Sequence, residues 1–111
     1  MVKRQERQLN AVFAALSDST RRGILAHLAN SGEASVTALG EPHPMSAPAI
    51  SKHLRVLENA GLITREKQGR VRYCRINPEP LREAEAWIEA TRAFWEGQLD
   101  SLMRYLQSNP E

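Results

Sequence analysis

The sequence predicts a mainly α fold with a small β-hairpin wing and a long C-terminal helix, and three stretches of its 111 residues carry that prediction. From Val36 to Leu62, two short helices flank Glu41-Pro42-His43-Pro44, and so tight a Pro-containing connection reads as a helix-turn-helix. Two β-type runs then follow, Leu62 to Lys67 and Arg70 to Ile76, around a Gln68-Gly69 turn. From Leu81 to Leu106 apolar side chains recur at alternating spacings of three and four, which is one face of a single helix. A helix-turn-helix followed by a hairpin is a winged helix. The expected layout is one domain: a mobile basic arm at 1–7, a winged-helix body at 8–76 and a terminal helix at 77–107.

Each element has its own local reason. Leu9, Val12, Phe13 and Leu16 form the apolar face of a first helix. Asp18 is placed to N-cap a second, running to about Ala29, with Arg21 and Arg22 in its first turn and Ile24, Leu25 and Leu28 buried. Asn30-Ser31-Gly32 is a loop, and Glu33-Ala34 fits a short third strand beside the hairpin. Ser35 can cap the first helix of the pair, and Ser46 the second, where Pro48 falls in the first turn at no cost in hydrogen bonds. Gly61 can close that helix in the left-handed conformation. Asn77-Pro78-Glu79-Pro80 starts the last helix with a cap candidate, prolines and a carboxylate at the positive end of the dipole.

The terminal helix is too long for its domain. Leu81, Ala84, Ile88, Thr91, Trp95, Leu99, Leu102 and Leu106 form one stripe, broadened by Trp87, Phe94 and Met103. Thirty helical residues span ~45 Å, whereas a compact chain of this size is only about 34 Å across. An apolar helix that overhangs its body needs a partner, and the simplest is a second copy. The expected homodimer interface is Leu9, Val12 and Phe13 with Ile88, Trp95, Leu99, Leu102 and Leu106.

Charge is segregated along the chain. From Lys52 to Arg75, seven Lys or Arg face two Glu, a net of +5, and from Asn77 to the end three Arg face seven acids, a net of −4. The overall +2 hides this. A basic helix face and a basic hairpin are the footprint of double-stranded DNA. At ~100° per residue, Pro48, Lys52 and Arg55 project opposite the buried Ile50, Leu54 and Leu57, with Ser51 at the flank. Lys52 and Arg55 are therefore the candidates for the major groove, where Arg can bond two guanine acceptors at once. Ser46 and Ser51 offer hydroxyls to phosphate or base. His53, about 60° from the apolar centre, either touches a phosphate or packs at the boundary. Arg70, after Gly69 at the hairpin tip, suits a minor groove, and Lys67 and Arg72 suit the phosphates beside it. Tyr73 and Ile76 are expected to pack the wing onto the core.

These residues resemble the ArsR/SmtB family of bacterial winged-helix transcriptional regulators. The likeness is carried by Ala15-Leu16-Ser17-Asp18-Ser19-Thr20-Arg21-Arg22-Gly23-Ile24-Leu25, by Met45-Ser46 with Ser51-Lys52-His53-Leu54-Arg55-Val56-Leu57-Glu58-Asn59-Ala60-Gly61-Leu62, and by Gly69-Arg70-Val71-Arg72-Tyr73. It covers roughly residues 9 to 106. The resemblance implies repression by occupying a promoter. Metal-sensing members typically carry a Cys-x-Cys pair on the first helix of the helix-turn-helix, or Asp, His and Glu ligands on the last helix. Here Val36-Thr37-Ala38-Leu39-Gly40 has no sulfur and the last helix has no histidine. Metal sensing through those positions is not expected, and carboxylates alone favour hard, weakly held ions.

Other classes are narrowed by what is absent from the sequence. His27 and His43 stand apart from other ligand-type residues, and no catalytic set or phosphate-cradling glycine loop is visible, so neither an enzyme nor a cofactor is expected. No apolar run reaches the length of a membrane span, and Met1 to Arg7 lacks the core of a secretory signal. The single Cys74 forms no internal disulfide and is expected as a buried thiol in a cytoplasmic protein. Trp87, Phe94 and Trp95 are read as core or, alternatively, as the lining of an effector pocket. The effector is unknown. A small-molecule or redox-responsive regulator, and a winged helix used for protein contact, remain the alternatives.

Overall fold

Lys, Arg, Gln and Glu are strong helix formers, and they extend the first helix nearly to the start of the chain. In the computed structural model, which describes residues 2–108, α1 runs Val2–Leu16. The basic stretch expected as a mobile arm is therefore helical from Val2, and only Met1 of that stretch lies outside the described residues.

The capping chemistry sets the next boundaries. Asp18 accepts the Arg21 backbone N–H at 3.0 Å and starts α2, Ser19–Ser31. Gly32 ends it at φ 79°, its N–H donating to the Leu28 carbonyl at 2.7 Å. The short strand β1, Glu33–Ser35, leads directly into α3, Val36–Gly40, where Ser35 accepts from the Ala38 N–H at 3.1 Å. Ser46 caps α4, Ala47–Asn59, through the Ala49 N–H at 3.3 Å. Gly61, at φ 79°, reverses the chain into β2, Ile63–Gln68, which pairs with β3, Val71–Ile76. Gly69 at φ 64° is followed by Arg70 with a negative φ, the order that a II′ hairpin turn requires. The last helix, α5, runs Glu79–Ser108.

The sheet is antiparallel in the order β1-β3-β2, with Cys74 opposite Ala34 on one side and Arg65 on the other. Its core face meets α2 and α4. Ile24, Leu28, Leu39, Leu54, Leu57, Leu62, Ile63 and Cys74 are fully buried there, and among the described residues no polar side chain is buried. Val12, expected at a dimer interface, is only 1% exposed and belongs to this core. The period that marked it as apolar could not say which apolar surface it joins.

Asn77 fastens the start of α5. Its side-chain amide donates to the Gly61 carbonyl at 2.9 Å, and its backbone N–H donates to Leu62 at 2.8 Å. Pro80 and Ala84 are buried against the body, and from Glu85 onward nearly every residue is exposed. The helix leaves the body, giving extents of 70 × 35 × 22 Å and a radius of gyration of 19.3 Å. A compact chain of this length would have about 13 Å. Among the described residues no helix is long and apolar enough to cross a membrane.

Candidate nucleic-acid interface

The inward stripe of α4 places its basic residues. Ile50, Leu54 and Leu57 are buried, which turns Pro48, Lys52 and Arg55 to solvent and leaves Ser51 half-buried at the flank. Ser46, at the end of the helix, is exposed, and its oxygen already accepts the capping bond.

The wing is graded along its length. Strand alternation puts Ile63, Arg65 and Lys67 of β2 on one face together with Arg72, Cys74 and Ile76 of β3. Near the core this face is apolar. Towards the tip it becomes Lys67 directly opposite Arg72. Two like charges in register oppose hairpin formation. Arg65 fixes the face in space: its Nε and Nη2 donate to Glu58 of α4 at 3.1 and 2.9 Å. Lys67 and Arg72 therefore lie on the side of the sheet that carries α4. Arg70 is exposed at the tip.

Ion pairing separates the cations into two groups. Arg65 pairs with Glu58, Arg75 with Glu33, Arg82 with Glu79 and Arg92 with Glu89. Among the described residues Lys52, Arg55, Lys67, Arg70 and Arg72 have no carboxylate partner. Of the seven cations from Lys52 to Arg75, pairing thus occupies Arg65 and Arg75 and leaves five, Lys52, Arg55, Lys67, Arg70 and Arg72, without a carboxylate.

His53 departs from the expected face. Its Nδ1 lies 3.1 Å from Arg21 Nη1 and 3.8 Å from Asp18 Oδ2, at the corner between α1 and α2. The ring is committed to an internal contact, which corrects its reading as a DNA-facing residue and agrees with the boundary position. The Arg21 N–H, above all, holds the Asp18 carboxyl below its usual range, helped by the neighbouring His53 and Arg21 charges and opposed by desolvation. The sequence places Arg21 in the first turn of its helix, and its planar fork is the one local feature that points to the several contacts it makes.

Thr37 lies beside the wing. Its exposed hydroxyl on α3 lines a cleft of about 290 Å³ together with Arg70 and Arg72, because β1 ends opposite Tyr73 and α3 continues alongside the next residues of β3. Tyr73 and Ile76 are half-buried at the wing's base, as expected. Cys74 is buried, and burial pushes its thiol pKa up, disfavouring the reactive thiolate. His43 packs on Gly23, where an added Cβ would sit 3.2 Å from its ring. Among the described residues no three His, Cys, Asp or Glu side chains gather as a metal site would require.

The expected dimer residues divide in the same way. Leu9 and Phe13 are half-buried, Phe13 resting edge-on against Trp87 with centroids 5.7 Å apart. Ile88, Trp95, Leu99, Leu102 and Leu106 are 47–58% exposed. Trp87, Phe94 and Trp95, 50–58% exposed, are not core in the single chain.

Comparison with known proteins agrees with this geometry. A helix-turn-helix domain family matches residues 16–66. The transcriptional repressor SdpR of Bacillus subtilis is 35% identical over 80 residues, 72% of this chain and 88% of SdpR. The crystal structure of an ArsR family transcriptional regulator, RHA00566, superposes with a TM-score of 0.77 at 44% identity, covering 82% of this chain and 93% of that one. The solution structure of a homodimeric winged helix-turn-helix DNA-binding domain from Mycobacterium bovis gives 0.60 at 26% identity, covering 85% and 83%. With the recognition helix, the wing and these relatives in agreement, the chain belongs to the ArsR family of winged helix-turn-helix, DNA-binding transcriptional regulators.

Proposed function

We propose that this protein is a repressor that binds an inverted-repeat operator as a homodimer, with α4 of each copy in successive major grooves. The observation that carries the reading is the set of five cations left without a carboxylate on α4 and the wing, where only Arg65 and Arg75 are paired, with Glu58 and Glu33. Lys52 and Arg55 take base edges, with Pro48 shaping the close approach of the helix. Ser46, Ser51, Lys67 and Arg72 take phosphates, and Arg70 takes the minor groove. The half-exposed apolar side of α5 supports the dimer, as does the homodimeric state of the Mycobacterium bovis relative. SdpR supports repression. The protein would act in the bacterial cytoplasm, where the chromosome is.

We read it as not responding to metals through the family's usual positions, since α3 has no sulfur and α5 no histidine. Its effector is unidentified. The buried Cys74, with its raised thiol pKa, argues against a redox switch there.

The test is selection from a random-duplex pool with purified, metal-free protein at near-physiological salt. An enriched palindrome with half-sites about one helical turn apart is expected. Raising salt from 50 to 200 mM should weaken binding by roughly 10³ to 10⁵ if each protomer neutralises about four phosphates. Arg55→Glu should abolish enrichment while leaving the dimer intact. Enrichment by Arg55→Glu at wild-type affinity would overturn the docking, and failure of the wild type to retain any duplex would leave a protein-contact role.

A further inference from the structure

The turn that ends the recognition helix is gripped from two sides. The carbonyls of Ala60, Gly61 and Leu62 each accept a hydrogen bond from another part of the chain. Gln8 of α1 donates its side-chain amide to Ala60 at 2.5 Å. Asn77, which follows β3 and precedes α5, donates its side-chain amide to Gly61 at 2.9 Å and its backbone N–H to Leu62 at 2.8 Å. A Cβ added at Gly61 would stand 3.1 Å from Gln8 Nε2 and 3.7 Å from Pro80 Cγ, so α1 and α5 both close on this turn. The end of a helix leaves its last carbonyls without intrahelical donors. Here the donors come from α1 and the start of α5, the elements that carry the expected dimer residues. The wing begins at the same place, since β2 starts at Ile63.

We propose that Asn77 and Gln8 are positioning residues that set half-site spacing: they fix the end of the recognition helix and the root of the wing to the elements through which two copies meet. The proposal rests on the reading above of a homodimer on an inverted repeat. Once one DNA-reading body is bound, the second binds at an effective concentration set by how firmly it is held at the right span. One base pair added between half-sites turns the second by about 34°. A firm hold therefore gives a sharp spacing preference and a loose hold a broad one. Asn77 suits the joint because its amide carries both a donor and an acceptor. Its oxygen accepts the Glu79 backbone N–H at 3.4 Å, at the start of α5, while its nitrogen donates to Gly61. An aspartate keeps the first bond and loses the second. A glutamate at position 8 likewise has no proton to donate to Ala60.

The experiment measures the affinity of wild type, Asn77→Asp and Gln8→Glu for the palindrome from the selection, for the same duplex with a base pair inserted or deleted at its centre, and for a single half-site. Each variant is expected to lose about fivefold at the selected spacing, the size of one neutral hydrogen bond, and to lose less at the altered spacings. Half-site affinity and sedimentation as a dimer should stay as in wild type, whereas a merely destabilised fold would weaken every duplex alike. If Asn77→Asp does not fold, Gln8→Glu, on the other side of the turn, decides. Equal loss at every spacing, an unchanged spacing profile, or conversion to monomer would overturn the proposal. A wild type that binds half-sites but shows no preference for the palindrome would instead sink the inverted-repeat reading, and the proposal with it.

Discussion

Asp18 shows how much one side chain can do at a corner. It caps α2, borders the His53 ring, and has its carboxyl held below the usual range, chiefly by the Arg21 N–H. A carboxylate depressed in the folded state stabilises above its unfolded value, and that contribution is lost as pH falls through the lowered folded one. Asp18→Asn keeps a capping oxygen but no longer titrates. Its urea unfolding midpoint should lie below wild type at neutral pH, and the gap should close as the solution is acidified below about pH 4. A constant gap across the acid range would show that the charge contributes nothing. Arg21, by contrast, is informative for its shape: a lysine could not reach two carbonyls and a ring nitrogen from one planar head.

At the scale of elements, the wing trades stability for function. Lys67 and Arg72 face each other across β2 and β3, a like-charge pair that costs a few tenths of a kcal/mol. Lys67→Glu should convert it into an attractive pair, stabilising the protein by about 0.5 kcal/mol while weakening DNA binding. Chemical denaturation and a duplex titration read the two effects separately. A variant that was both more stable and equally tight would remove the wing face from the interface. Nearer the core the same face is closed by the Arg65–Glu58 bonds, so the wing is aimed by α4 instead of swinging freely about its turn.

For the molecule as a whole, the decisive feature is α5. Its second half carries Trp95, Leu99, Leu102 and Leu106 at 52–58% exposure on a helix that leaves the body behind. In the proposed dimer these side chains are covered, and spacing between the two recognition helices depends on that cover. Leu99→Asp should shift the protein to monomer in sedimentation and abolish binding to the full palindrome, while the winged-helix body stays folded by circular dichroism. A dimer that persisted with Leu99→Asp would move the interface elsewhere. Wild-type melting temperature should also rise with protein concentration, because assembly stabilises the folded state by mass action.

Local structure is written in short stretches of sequence. Asp18, Ser35 and Ser46 announce helix starts, Gly61 and Gly69 announce reversals, and the apolar period of α4 leaves Lys52 and Arg55 facing out. These signals are legible because caps, turns and helix faces depend on neighbours a few residues apart. Residues 2–7 combine basic charge with strong helix formers, and there the propensity prevails and α1 begins at Val2. Which apolar and polar surfaces meet is settled by packing. Val12 went to the core, while Leu9 and Phe13 took half-buried places beside it. Arg65 and Arg75 were withdrawn from the free positive charge by Glu58 and Glu33. His53 turned from the DNA-facing side to Arg21. Each of these outcomes depends on groups far apart in the chain, whose distances are set only when the helices and sheet pack.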